Sequence, residues 1–189
     1  MNKYFVGQDP DTPAAVAAAE VERLLMLPSQ PLTTVPQTEL ARFDLPLQKA
    51  PTLDYWEKQT DWYSRSVAEQ LRRGETLPVS IPYVAQTWTF DNDGLTILFL
   101  AGEVFADYGL RLKRDYLGSE LWVNAYANDV RAYIPTAQAI AEGGWEVDGA
   151  RINYGIPARL APQTEEILIR NIKGMDSERF RSLPGRQSP

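Results

Sequence analysis

Residues 87–103 read TWTFDNDGLTILFLAGE, and this stretch decides the fold class. Residues 87–90 and Leu95–Leu100 are rich in β-branched and aromatic residues, and the acidic turn between them ends in Asp-Gly, a pattern that predicts a β-hairpin. The second run is far shorter than the roughly 20 apolar residues that a membrane span needs, so we interpret it as a buried strand. It leads into Gly102 and Glu103, after which apolar residues recur at helical spacing. Glu103 is therefore predicted where a buried strand turns into a helix.

Helices and strands are predicted to alternate on both sides of this hairpin. A Thr-Pro pair before an Ala-rich run predicts a helix start at residue 12, with an apolar stripe of Val16, Val21, Leu24 and Leu25. A second helix is expected from residue 54 to about residue 73. Its expected buried members are Trp56, Trp62, Tyr63, Val67 and Leu71. Further strands are predicted at residues 40–47 and 121–127, and further helices at residues 136–142 and 162–173.

This alternation predicts an α/β fold, a mixed sheet with flanking helices, in which residues 1–189 are a portion of a single domain. A net charge of −6 provides no basic stripe to displace phosphate counterions, so a nucleic-acid partner is not expected. No segment has the length of a transmembrane helix, and residues 1–16 lack the apolar run and cleavage signal of a secretory signal peptide. The cellular location stays open.

The chain contains no histidine and no cysteine. Disulfides and thiolate metal sites are therefore excluded, and so is imidazole, the commonest metal ligand and the usual general base near neutral pH. Any hydrolytic site built by this chain alone would have to use carboxylates, phenols or hydroxyls.

Three polar positions are candidates for a functional site. Glu103 is predicted at the edge of an α/β sheet where ligands usually bind, or it is an acidic residue favoured by a helix dipole, worth about 0.3–1 kcal/mol. Residues 128–136 form a polar segment that places Tyr133 before a helix, or a loop with a packing tyrosine. Residues 143–146 combine two glycines with Trp145 in a flexible hinge, or the indole simply anchors a loop.

These three segments together resemble the neutral ceramidase family. GEVF at residues 102–105, followed by RLKR at residues 111–114, resembles a family segment in which Gly-Glu begins a helix that ends in Arg-Leu-Arg. NDVRAYIPT at residues 128–136 is similar to the family element Asn-x-x-x-x-Tyr-x-Thr-Thr. GWE at residues 144–146 stands where the family has a Tyr-Glu pair, twelve positions beyond the motif tyrosine. The agreement in order and spacing is what gives the resemblance its weight.

The resemblance is close over residues 80–172 and looser over residues 15–80, and it implies a zinc-dependent amidohydrolase. In that family two histidines, a glutamate and a tyrosine hold zinc, and a zinc-activated water attacks the amide of ceramide. Carried over by position, Glu103 and Tyr133 are the expected metal ligands, and Trp145 replaces a catalytic tyrosine. Because each expected ligand lies at a strand-to-helix junction, we predict that their oxygens converge within about 6 Å, zinc–oxygen bonds being roughly 2 Å long.

The two histidines of the family have no counterpart in this chain. In the family they lie upstream of the matched region, so the chain is expected to be a fragment, one half of a split enzyme, or a homologue that has lost catalysis. The expected substrate is ceramide or another N-acyl lipid, with an upstream segment or chain completing the site. The alternative is a non-catalytic binding or assembly module that keeps the fold.

Overall fold

The computed structural model describes residues 12–180, so most of the N-terminal stretch tested for a signal peptide lies outside the described residues. The described residues fall into two compact units, residues 12–33 and residues 34–180. The described part of the first unit contains helix α1, Pro13–Leu25, which begins as predicted: the Thr12 hydroxyl accepts a hydrogen bond from the backbone N–H of Ala15 at 3.2 Å. None of the helix residues is buried, and the apolar stripe is at least half exposed.

The second unit is built on a four-stranded mixed sheet. In the order in which they lie side by side, its strands are β1, Gln37–Pro46; β2, Ser80–Phe90; β3, Leu95–Leu100; and β5, Glu120–Asn124. β2 pairs antiparallel with both β1 and β3, whereas β3 and β5 are parallel. The α/β fold and the hairpin are confirmed, and Gly94 ends the hairpin turn with a φ of 69°, which glycine adopts without strain.

A second, two-stranded parallel sheet follows from β4, Glu103–Val104, and β6, Tyr133–Ile134. The sequence predicted that helical structure begins directly after Glu103, but β4 comes first and α4 spans Ala106–Asp115. Two further helices agree with expectation: α5, Ala137–Glu142, which the Thr136 hydroxyl caps, and α6, Thr164–Met175.

The predicted helix over residues 54–73 is wrong in one respect, because it is broken into α2, Leu53–Glu57, and α3, Trp62–Arg72. The break has a local cause: the Asp61 carboxylate accepts a hydrogen bond from the backbone N–H of Ser64 at 2.9 Å and so starts a new helix. Trp62, expected to be buried, is the first residue of α3 and is 72% exposed. The other expected members are buried or partly buried: Trp56, Tyr63, Val67 and Leu71.

The main core lies between one face of the sheet and the helices α4 and α6. Its members from the sheet are Leu45, Tyr83, Ala85, Leu98 and Leu100, and those from the helices are Tyr108, Leu112, Leu168, Ile169 and Ile172. Burial of each large aliphatic side chain contributes about 1.5–3 kcal/mol. This packing fixes the end of β3, and with it the position of the residues that follow it.

The opposite face of the sheet carries aromatic residues that remain exposed. Trp88, Ile97 and Trp122 are register partners on three neighbouring strands and therefore lie in one row. The two indoles are 38% and 55% exposed, and Leu40 on β1 is 41% exposed. An apolar row of this kind on a sheet face is typical of a surface that another element covers.

Two buried tyrosines allow a matched test of the core. Tyr108 donates a hydrogen bond to the carbonyl of Pro135 at 3.1 Å, whereas within residues 12–180 the Tyr83 hydroxyl is buried with no partner. We expect Tyr108→Phe to lower the free energy of unfolding by about 0.5–1.5 kcal/mol, and Tyr83→Phe to leave it unchanged or raise it, because an unpaired buried hydroxyl costs about 1–3 kcal/mol. Urea unfolding of both variants measures this. An equal loss in the two would show that the Tyr83 hydroxyl has a partner.

Candidate functional site

A glycine positions Glu103 at the end of β3. Gly102 has a φ of 78°, and a Cβ there would lie 2.7 Å from the carbonyl oxygen of Ala132. That close approach lets Gly102 and Glu103 donate backbone hydrogen bonds to the carbonyls of Asp129 and Ala132, at 2.8 and 2.9 Å. The chain after β3 is thereby tied to the segment that carries Tyr133.

Glu103 and Tyr133 are brought together although thirty positions separate them in the chain. They are direct partners in the parallel pairing of β4 and β6, and paired positions present their side chains on the same face of a sheet. Hydrogen bonding from the Tyr133 phenol is one of the causes that lower the pKa of the Glu103 carboxyl. The two residues therefore converge, as predicted, and each lies in a two-residue strand that precedes a helix, α4 or α5.

Two further tyrosines, which the sequence did not identify, complete a cluster around Glu103. The Tyr126 hydroxyl donates to Oε2 of Glu103 at 2.7 Å, and the Tyr154 hydroxyl donates to Oε1. The rings of Tyr154 and Tyr133 lie 6.3 Å apart in an edge-to-face arrangement. The carboxylate is thus surrounded by three phenols from three separate segments of the chain, and we call these four residues the Glu103–tyrosine cluster.

Tyr126 reaches Glu103 from a strained backbone. Its φ is 57°, and that of Asn128 is 66°, in the left-handed region that costs a non-glycine residue about 1–3 kcal/mol. The Tyr126 N–H donates to the carbonyl of Gly102 at 3.0 Å, and the Ala127 N–H donates to that of Leu100 at 3.0 Å. This loop folds back onto the end of β3, and the strand predicted over residues 121–127 therefore ends early, at Asn124.

The phenols shift the protonation of the cluster in a consistent direction. The hydrogen bond from Tyr154, with smaller contributions from Tyr126 and Tyr133, holds the pKa of the Glu103 carboxyl below its usual range, against the opposing effect of partial burial. The same bond raises the pKa of Tyr154 to about 12, and hydrogen bonds to Glu103 raise the pKa values of Tyr126 and Tyr133. At neutral pH the cluster therefore holds one carboxylate and three protonated phenols.

An open groove of about 600 Å³ lies between β1, β2 and the segment that follows Ala127. None of the four cluster residues is part of its lining. Its lining includes Asn128 and Asp129, from the polar segment of residues 128–136, together with Arg42 and Arg131. Asp129 forms an ion pair with Arg131, and its backbone carbonyl binds Gly102. Asp129 therefore contacts the residue directly before Glu103.

Trp145 lies outside the hydrogen bonds of the cluster. It begins a π-helical turn, Trp145–Gly149, and is 60% exposed. Its ring lies against Gly149, where a Cβ would come within 2.2 Å of the indole. The turn does run close to the site, since the charge of Glu146 contributes to the raised pKa of Tyr133. A catalytic role for Trp145 stays a prediction.

Comparison with known proteins leaves the family open: no protein-family model, curated protein or solved structure matches the chain. Within residues 12–180, no group of three or more His, Cys, Asp or Glu side chains is placed to hold a metal ion. None of the helices in that range is long and apolar enough to cross a bilayer. The assignment of Glu103 and Tyr133 as metal ligands stays a prediction.

Proposed function

We propose that the chain is part of a zinc-dependent amidohydrolase that cleaves the N-acyl amide of ceramide or a related lipid. The observation that carries this proposal is the pairing of Glu103 with Tyr133, the two positions at which the resemblance to neutral ceramidases expects metal ligands. The two residues are far apart in the chain, and the pairing of β4 with β6 is what brings them together. Strand ends are where α/β folds usually bind ligands.

The two residues fit zinc as part of a ligand set. Zinc accepts carboxylate oxygen, and beside a dication the Tyr133 phenol can lose its proton despite the nearby charge of Glu103. When bound, zinc polarises a carbonyl and lowers the pKa of water toward about 7. Glu103 supplies the negative charge, and Tyr133 supplies an oxygen on the same face of the small sheet.

The remaining ligands would come from a segment outside this chain, because the sequence has no histidine. The exposed row of Trp88, Ile97 and Trp122 supports this, since it offers an apolar surface on which such a segment can pack. In the proposed complete protein, the histidines would approach the cluster from this additional part.

A second candidate function is a non-catalytic binding or assembly module. The observation in its favour is that both oxygens of Glu103 already accept phenol hydrogen bonds, so the carboxylate is satisfied without a cation. In that case the cluster would stabilise the end of β3, and the exposed sheet face would be the functional surface.

The test is to express the chain together with an upstream reading frame that encodes two histidines, and to measure zinc content and hydrolysis of a fluorescent ceramide. We expect one zinc per complex, and we expect Glu103→Gln to weaken zinc binding by more than about 100-fold, the upper end of what outer-shell changes cause. Tyr133→Phe should lower affinity and rate together. The control is Glu120→Gln, at an exposed position on β5.

The outcomes separate the two candidates. Zinc content and hydrolysis that survive both Glu103→Gln and Tyr133→Phe would place the metal elsewhere. A folded complex that neither binds zinc nor cleaves the amide would favour the binding module.

A further inference from the structure

We infer that Tyr126 and Tyr154 are positioning residues that hold the two oxygens of Glu103 in one orientation. On the proposed function, that orientation presents the carboxylate to zinc. The resemblance to neutral ceramidases assigns no role to either of these tyrosines.

The two tyrosines donate to different oxygens of the Glu103 carboxylate. An ionised carboxylate has about four lone-pair sites, two on each oxygen. Tyr126 occupies one site on Oε2 and Tyr154 occupies one on Oε1. These two hydrogen bonds restrain rotation of the carboxylate group. The remaining lone pairs are shared between the Tyr133 phenol, which also hydrogen-bonds to Glu103, and any further partner.

The two hydrogen-bond donors come from independent segments of the chain. Tyr126 lies in the loop after β5, and Tyr154 follows the short 3-10 turn Ala150–Ile152. Glu103 is held from two directions, 23 and 51 positions away in the chain. A rotation of the carboxylate would break both bonds, and opposed restraints of this kind hold a ligand in place better than one bond does.

Burial of the side chain does not explain the placement of Tyr126. Its side chain is 63% exposed, so burial of the ring contributes little to its placement. Its backbone nevertheless adopts a left-handed conformation, and its N–H binds the carbonyl of Gly102, directly before Glu103. Strain of this kind persists where the surrounding structure enforces it and is frequent at functional sites. In this strained conformation, the phenol of Tyr126 lies within hydrogen-bonding distance of Glu103.

Ligating carboxylates are commonly hydrogen-bonded by outer residues, whose removal typically costs 10–100-fold in metal affinity or activity. We therefore expect Tyr126→Phe and Tyr154→Phe each to weaken zinc binding of the completed protein by about 10–100-fold. Each substitution removes only a hydroxyl and keeps the ring. The matched control is Tyr116→Phe. It removes a hydroxyl that donates a hydrogen bond to Thr96 at 2.8 Å, away from the cluster.

The experiment has one arm that needs no metal. In the purified chain with ¹³C-labelled glutamate, side-chain couplings measured by NMR should report a single rotamer for Glu103. We expect averaging over several rotamers in Tyr126→Phe and Tyr154→Phe, and more in the double variant, while Tyr116→Phe leaves Glu103 unchanged. Backbone spectra establish that each variant is folded. If Tyr154→Phe does not fold, the exposed Tyr126 still decides the question. The second arm is zinc affinity in the completed protein.

The two arms separate this inference from the proposed function. A single Glu103 rotamer in the double variant would overturn the positioning role, whatever the protein binds. Lost order with unchanged zinc affinity would overturn its importance for the metal. If the completed wild-type protein binds no zinc, the proposed function fails, and the NMR arm alone then decides whether the two phenols hold the carboxylate.

Discussion

The purified chain alone is expected to bind zinc with a Kd weaker than about 1 μM, corresponding to a binding free energy smaller than roughly 8.2 kcal/mol, and to leave ceramide intact. The chain has no histidine or cysteine, so its own ligands would be one carboxylate, phenols and water. Zinc prefers nitrogen or sulfur donors in such a set. The phenol of Tyr133 would also have to ionise, and hydrogen bonding to Glu103 raises the pKa of that phenol.

Competition with a chromophoric zinc chelator, on a chain without a histidine tag, measures this affinity. Glu103→Gln serves as the control, because any weak binding at the cluster should disappear in it. Stoichiometric, submicromolar binding by the wild-type chain that Glu103→Gln abolishes would contradict the prediction and would mean that the cluster is a metal site by itself.

Gly102→Ala is expected to lower the free energy of unfolding by about 2–5 kcal/mol, combining roughly 1–2 kcal/mol for a left-handed backbone with about 1–3 kcal/mol for overpacking. The added methyl would lie 2.7 Å from the carbonyl oxygen of Ala132 and 2.9 Å from Cγ1 of Ile134. Relief of these clashes requires β4 and β6 to separate, which would also disturb the pairing of Glu103 with Tyr133.

Gly74→Ala is the matched control for this prediction. Gly74 has nearly the same φ, 76°, but a Cβ there meets nothing within 4 Å. Its substitution should therefore cost only the backbone share, about 1–2 kcal/mol. Chemical unfolding of both variants gives the difference. Equal losses would show that the close approach at Gly102 does not limit stability, and that the small sheet can relax without cost.

Most of the secondary structure was predictable from local signals in the sequence. The strands of the hairpin were evident because runs rich in β-branched and aromatic residues flank an Asp-Gly turn, and the starts of α1 and α5 were evident from Thr12 and Thr136, whose hydroxyls cap them. The break between α2 and α3 was missed because apolar residues continue at helical spacing across it. Asp61 decided the break by capping a new helix, a local signal that the periodicity concealed.

The sequence by itself determined the α/β class, the hairpin, and Glu103 and Tyr133 as candidate residues, because a strand-to-helix junction is marked by neighbouring residues in the chain. Only the tertiary structure decided that Tyr126 and Tyr154 join them. No periodicity connects residues 23 and 51 positions away to one carboxylate. Their meeting depends on a left-handed turn at Tyr126 and on a glycine that lets two segments approach closely. Such contacts are fixed by packing between distant segments, and the spacing of residues along the chain does not predict them.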